Sequence, residues 1–243
     1  MPEITKNQIK QIRLLQQKKY RQEFCQFVVE GEKNVQELLN SDFEVENLYA
    51  VSDWEPENYT QEITRVTNKQ LSQISNLSSP NKVLAVAKIS NKKFHNNLLG
   101  NGLTLVLEDI NDPGNLGTII RTADWFGVKN IICSPNSVDC FNPKVVQSTK
   151  GSLFRTNVFY MDLKEILSHT KTPIYGAILG GKEITKETVF EKNAILLMGS
   201  ESHGISEELL PLISREISIK QFGNAESLNV GIATGILLNS FSL

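Results

Sequence analysis

The sequence predicts an α/β protein in two parts: a small α/β unit over residues 1–90 and a parallel-sheet domain over residues 103–243, joined by a linker at 91–102. Three observations carry that expectation. Short apolar runs alternate with segments of helical spacing along the chain, the pattern of interleaved strands and helices. Beyond residue 102 these runs lose their polar alternation, as strands covered on both faces do. Between the halves lies Ser90-Asn91-Lys92-Lys93-Phe94-His95-Asn96-Asn97, followed by Gly100-Asn101-Gly102, polar and punctuated by glycine.

The first 22 residues carry Lys6, Lys10, Arg13, Lys18, Lys19 and Arg21 against Glu3, with Ile9, Ile12 and Leu15 at helical spacing. This predicts a basic amphipathic helix, either a solvated face or one turned to phosphates. Phe27–Gly31 reads as a strand, Glu32–Leu39 as a helix, Val45–Val51 as a strand, Lys69–Ile74 as a short helix and Val83–Ala87 as a buried strand. In the second part, strands are expected at Leu103–Leu107, Asn130–Cys133, Ile174–Ile178, Ala194–Met198 and Glu216–Ile219. Helices are expected at Thr118–Phe126, Leu163–His169, Glu207–Leu212 and Leu228–Leu238.

Composition narrows the function classes. A hydrophobic share of 40% and a charged share of 21% are those of a globular protein. A net charge of −2 gives no global basic signature, so nucleic-acid binding must come from a local patch. Cys25, Cys133 and Cys140 are an odd set without metal-ligand spacing, which predicts reduced thiols in a cytoplasmic protein and no metal site. The amino terminus has no apolar signal core. The apolar stretch Leu228–Leu238 is too short for a membrane span, so no membrane partner is expected.

Three strand-to-helix loops are candidates for chemistry, because ligands of open α/β sheets collect beyond the carboxyl ends of the strands. The first runs through Pro113-Gly114-Asn115-Leu116-Gly117 to Arg121-Thr122-Ala123, with Asn115 placed to cap a helix. Taken alone, Arg121 can serve an i,i+3 ion pair with Asp124. The second, Gly199-Ser200-Glu201-Ser202-His203-Gly204, brackets a polar turn with glycines; Ser206 is placed to cap the next helix, and His203 reads as an exposed loop residue. The third, Glu226-Ser227-Leu228-Asn229-Val230, opens the last apolar helix. Glu226 and Ser227 there can be simple capping, but an amide at Asn229 beside apolar neighbours needs partners. A Walker loop, a dinucleotide fingerprint and a Gly-x-Ser-x-Gly elbow are all absent, which argues against a kinase, a dehydrogenase or a serine hydrolase. The residues alone describe a polar, glycine-rich cleft from three loops, one of which offers an arginine.

In this order and at these distances, the three segments resemble the motifs of the SpoU–TrmH family of RNA ribose 2′-O-methyltransferases. Asn115-Leu116-Gly117 with Arg121-Thr122-Ala123 is similar to the first motif, Gly199-Ser200-Glu201 with Gly204 to the second, and Glu226-Ser227-Leu228-Asn229-Val230 to the third. Lys18-Lys19-Tyr20-Arg21, Phe27-Val28 and Glu30-Gly31 resemble that family's ribosomal-protein-like substrate-binding domain. Gly231 departs from the pattern, which often has Ser there. The resemblance implies a parallel-sheet SPOUT domain with a C-terminal trefoil knot, a homodimer with sites near the interface, and S-adenosyl-L-methionine as methyl donor. It implies Gly199, Glu201, Gly204, Ile219 and Leu228 around the donor. Arg121, Asn115, Ser227, Asn229 and Glu201 are implied in catalysis at the ribose. Lys10, Arg13, Lys18, Lys19 and Arg21 are the expected RNA grip, with ribosomal RNA ahead of transfer RNA as substrate. A non-catalytic RNA-binding or ribosome-assembly protein on the same fold is the alternative.

Overall fold

The apolar runs expected as strands pair into two separate sheets. The computed structural model describes residues 4–90 and 92–242 and divides the chain into two units. Residues 1–3 of the stretch read for a signal core, and Asn91 of the linker, lie outside the described residues.

The first unit takes the chain up to residue 91 together with residues 139–155. Its sheet contains β1 (Gln26–Glu30), β2 (Val45–Ala50), β3 (Thr64–Arg65) and β4 (Val83–Lys88), in the order β1-β4-β2-β3. Strand β4 runs antiparallel to both β1 and β2, with Val28 opposite Val86 and Leu48 opposite Ala85. Around it stand α1 (Lys6–Leu14), α2 (Lys18–Phe24), α3 (Glu32–Leu39), α4 (Asn68–Ile74) and α6 (Pro143–Thr149). Thr5 and Thr67 start α1 and α4 with capping boxes closed by Gln8 and Gln70.

The basic amino-terminal helix is two helices, broken at Leu15–Gln17, and Arg21 explains the break. Its Nη1 donates to the carbonyls of Leu15 and Gln16, both at 2.9 Å, satisfying groups that a helix end leaves without partners. Its Nε and Nη2 donate to Asp139 Oδ2 at 2.8 and 2.6 Å. Arg21 is 1% exposed, so it belongs to the interior of the first unit and is corrected out of the expected RNA grip. Burial also pushes the Glu30 carboxyl above its ordinary range, although Ser75 Oγ and the backbone N–H of Asn76 donate to it.

The second unit, residues 92–138 and 156–243, is built on a six-stranded, wholly parallel sheet. Its strands are β5 (Leu103–Leu107), β6 (Asn130–Cys133), β7 (Asn157–Tyr160), β8 (Ile174–Glu183), β9 (Ala194–Met198) and β10 (Arg215–Ser218), in the order β10-β8-β9-β5-β6-β7. Val106, Ile132, Ile195 and Leu197 face a core that includes Leu163, Ile166 and Leu167 of α7 (Leu163–Ser168). By alternation Leu105, Leu107, Ile131 and Leu196 face the other side, and all four are fully buried. Helices α5 (Pro113–Trp125) and α8 (Val230–Phe241) complete the unit. Phe94 of the expected linker packs edge-on against Phe159, with ring centroids 5.4 Å apart.

Several expectations shift in detail. Glu207–Leu212 is not an α-helix but a turn ending in a short 3-10 segment at Leu210–Leu212. Pro211 lacks the N–H a helix needs there and clashes with the preceding turn. Ser206 therefore caps no α-helix; its N–H donates to the nearly buried carboxylate of Glu108 at 2.9 Å. All three cysteines are free thiols, with Cys25 exposed and the other two buried. Burial pushes the Cys133 thiol up to about 12, which keeps it protonated at neutral pH.

Removing one member of a buried ion pair leaves an uncompensated charge inside. Arg21→Ala is therefore expected to lower the unfolding free energy by roughly 3–5 kcal/mol in urea denaturation. A loss within the error of the measurement contradicts the role given to Arg21.

Candidate functional site

Strand order places the site before any side chain is considered. From β5 the chain steps to β6 and β7 on one side, then crosses over so that β9 lies against the other side of β5. The reversal makes a switch point between β5 and β9, where the loops at the carboxyl ends diverge and leave a crevice. The loop after β5 leads to Asn115, and the loop after β9 carries Glu201. Register fixes their proximity: Leu107 pairs with Met198, and the N–H of Glu108 donates to the Met198 carbonyl at 2.9 Å.

Helix α5 begins earlier than the spacing predicted. Asp112 is the N-cap, accepting from the N–H of Asn115 at 2.8 Å, and Pro113 takes the first helical position. Asn115 is thus freed from capping. Its Nδ2 donates to Glu201 Oε1, and its Oδ1 accepts from Asn229 Nδ2 at 2.9 Å. Asn229 Nδ2 also donates to Glu201 Oε1 at 3.2 Å. Asn229, rather than Glu226 or Ser227, is the N-cap of α8: its Oδ1 accepts from the N–H groups of Gly231 and Ile232 at 3.0 and 3.3 Å. One carboxylate and two amides thereby tie the first turn of α5, the turn after β9 and the entry of α8 together, and each amide is held in one orientation.

The turn after β9 is closed by reciprocal backbone bonds between Ser200 and Gly204, both 3.0 Å, and the His203 N–H donates to Ser200 Oγ at 3.1 Å. His203 is exposed, as expected. A Cβ at Gly199 would lie 2.1 Å from the Gly204 carbonyl carbon, so this crossing requires glycine. Gly204 itself has φ of +67° with open space above its α-carbon. Exposed Leu228 and half-buried Ile219 add apolar surface.

Helices α5 and α8 approach closely along a row of small residues. A Cβ at Gly231 would stand 3.3 Å from Thr118 Cγ2, and one at Gly235 would stand 3.5 Å from Thr122 Cγ2. Arg121 adjoins that contact in sequence but is exposed, and Ser227 is exposed two residues before Asn229. Neither hydrogen-bonds to Asn115, Glu201 or Asn229 among the described residues. The structure therefore bonds three of the expected site residues to one another and leaves Arg121 and Ser227 open to solvent. Sequence reasoning missed Asp112 as the cap; the Asp-Pro pair at 112–113 was its available signal. Among the described residues no cluster of three His, Cys, Asp or Glu side chains could hold a metal ion, and no helix is long and apolar enough to cross a membrane.

Comparison with known proteins decides the family. Residues 102–239 match the model of the SpoU rRNA Methylase family, and residues 6–85 match that of the MRM3-like substrate binding domain. The chain belongs to the SpoU rRNA Methylase family. It is 29% identical over 97% of its length to the Bacillus subtilis 23S rRNA (guanosine(2553)-2'-O)-methyltransferase RlmP, covering 96% of that protein. A TrmH-family RNA methyltransferase structure from Porphyromonas gingivalis is 33% identical with a TM-score of 0.89, covering 99% of this chain and 98% of that one. An AdoMet-bound rRNA methyltransferase from Sinorhizobium meliloti is 28% identical with a TM-score of 0.84, covering 99% and 96%. The site of this SpoU family member suits such a donor. Gly204 leaves room at a backbone edge, and Leu228 and Ile219 keep apolar surface accessible.

Proposed function

We propose that this protein transfers a methyl group from S-adenosyl-L-methionine to a ribose 2′-hydroxyl of structured RNA, with ribosomal RNA ahead of transfer RNA. The observation that carries the reading is the hydrogen-bonded set of Asn115, Glu201 and Asn229 at the β5–β9 switch point. Gly199, Glu201, Gly204, Ile219 and Leu228 would hold the donor. When bound, that donor supplies an electrophilic methyl on a sulfonium and departs as a neutral thioether.

The chain's own residues align the ribose oxygen and manage its proton. Alignment of two bound groups contributes roughly 7–11 kcal/mol in favourable cases. Ser227 and Asn229, close together on the loop into α8, hold the ribose. Glu201 is a positioning residue, because it accepts from both amides and leaves them pointing one way. Arg121 acts through the positive charge and the planar N–H fork of its guanidinium. Exposed on α5, it binds the phosphate of the target nucleotide and stabilises the oxygen as the new C–O bond forms. The hydroxyl proton passes to water, which reaches a loop whose residues 221–229 are all exposed.

The RNA grip is Lys10, Arg13, Lys18 and Lys19, all exposed, with Arg13 also donating to the Gln73 carbonyl at 2.5 Å. End-to-end similarity to a 23S rRNA methyltransferase, across both the grip and the site, supports ribosomal RNA as substrate. A homodimer belongs to the same proposal. Trp125 on α5 and Ile232 and Ile236 on α8 are 84, 57 and 39% exposed, an apolar face beside Arg121 suited to a second copy. The same proposal includes a knotted carboxy-terminal segment and three parts, an RNA-binding domain at 1–90, a linker at 91–102 and a methyltransferase domain at 103–243; the family matches at 6–85 and 102–239 support the division, with residues 139–155 packed into the first unit. The protein works where RNA is made and matured, in the cytoplasm.

Arg121→Ala is expected to abolish methyl transfer, read by tritium incorporation into RNA, while calorimetry finds donor affinity within a few-fold of the parent. Normal turnover by this variant removes Arg121 from the mechanism, and absence of donor binding by the parent favours a non-catalytic RNA-binding protein. If the four basic residues neutralise about four phosphates, log affinity for single-stranded RNA should fall against log salt with a slope near −3. A flat response contradicts the grip.

A further inference from the structure

The loop from β10 to α8 does more than deliver Ser227 and Asn229. Phe222, near its start, is 88% exposed, the most exposed of the large hydrophobic side chains among the described residues. A ring left in water forgoes the stabilisation that burial against a ligand would bring. The loop is braced beside it. Gln221 Nε2 donates to the carbonyls of Gly223 and Ala225, both at 2.8 Å, so the Gln221 side chain closes over the segment just after Phe222. Lys220 places its Nζ 5.3 Å from the centre of the ring, and 3.9 Å from Glu183 Oε2.

We infer that Phe222 is a stacking platform for a nucleobase of the RNA substrate, with Lys220 beside it for the adjoining phosphate. The inference rests on the methyl-transfer reading above, and it adds a positioning element that the three loop motifs do not contain. Its chemistry fits a single-stranded target. An aromatic ring stacks on any base because every base has a π face, and a neighbouring cation adds attraction to both ring and phosphate. Stacking carries no hydrogen-bond readout, so Phe222 holds a base in place without identifying it. The same loop reaches Ser227 five residues later and Asn229 two beyond, which places the platform on the segment that presents the ribose. A nucleotide drawn out of a helix could rest its base here while its sugar, or that of a neighbour, lies at the reacting position.

Two other occupants would account for an exposed ring: a second subunit, or the adenine of the methyl donor. Three measurements on the full chain separate them. Fluorescence anisotropy with a labelled oligoadenylate single strand reads RNA affinity, calorimetry with S-adenosyl-L-methionine reads the donor, and sedimentation reads the oligomer. Phe222→Ala is expected to weaken oligoadenylate binding about tenfold. Phe222→Tyr, which keeps a ring, should bind like the parent, and both variants should match it in donor affinity and sedimentation. Unchanged RNA affinity in Phe222→Ala overturns the inference, as does a parent protein that does not bind the oligonucleotide. A shift in sedimentation assigns the ring to the subunit interface, and a loss of donor affinity assigns it to the adenine; either result also overturns it. A parent that takes up no donor contradicts methyl transfer itself, whereas one that binds donor beside an unaffected Phe222→Ala contradicts the platform alone.

Discussion

The Glu201 carboxylate is the contact on which the rest of the site depends. It accepts from the amides of Asn115 and Asn229, residues 86 and 28 positions away in the chain. Asn115 lies in the first turn of α5, Glu201 in the turn after β9 and Asn229 at the N-cap of α8. Because Asn229 spends its amide oxygen on capping α8 and its nitrogen on Asn115 and Glu201, the entry of the last helix and the geometry of the cleft are set together. A charged acceptor strengthens such bonds, and because Glu201 and Asn229 are exposed, water screens the gain to about 1 kcal/mol. Without it, the Asn115 amide nitrogen would lose its acceptor and, of these bonds, only Asn229–Asn115 would join α5 to the entry of α8.

Backbone packing leaves little freedom for this arrangement to drift. The parallel register of β5 against β9 brings the first two loops side by side. Gly199 is pressed against the backbone of Gly204 so closely that no side chain fits, which holds the second loop in a tight turn. Gly231 and Gly235 let α8 settle against Thr118 and Thr122 of α5, in the helix that also carries Asn115 and Arg121. The family pattern with Ser at position 231 would have to fit a β-carbon about as close to Thr118 as van der Waals contact allows; glycine here avoids that crowding.

Much of this was legible in the chain. The six parallel strands were readable where apolar runs were unbroken, as at Leu103–Leu107 and Ala194–Met198, because burial on both faces removes polar alternation. Strand β7 was not: Asn157, Phe159 and Tyr160 leave Val158 as its one aliphatic residue. Asn115, Glu201 and Asn229 stood out as polar residues beside glycine and apolar sequence. What joins them did not, since hydrogen bonds between positions this far apart have no local signature. Arg21 shows the same limit from the other side. Among five neighbouring basic residues nothing marks it as the buried one, because its partner Asp139 lies 118 positions away. The packing of residues 139–155 in the first unit is invisible for the same reason.

A double-mutant cycle between Glu201 and Asn229 tests the central contact most directly. Glu201→Ala removes the acceptor, and Asn229→Ser removes the amide donor while keeping a residue that caps helices well. Unfolding free energies of the parent, both single variants and the double variant should show a coupling of about 1 kcal/mol, as for residues in one hydrogen-bonded network. Strict additivity of the two losses would mean that Glu201 and Asn229 do not meet, and that the three loops form no common site.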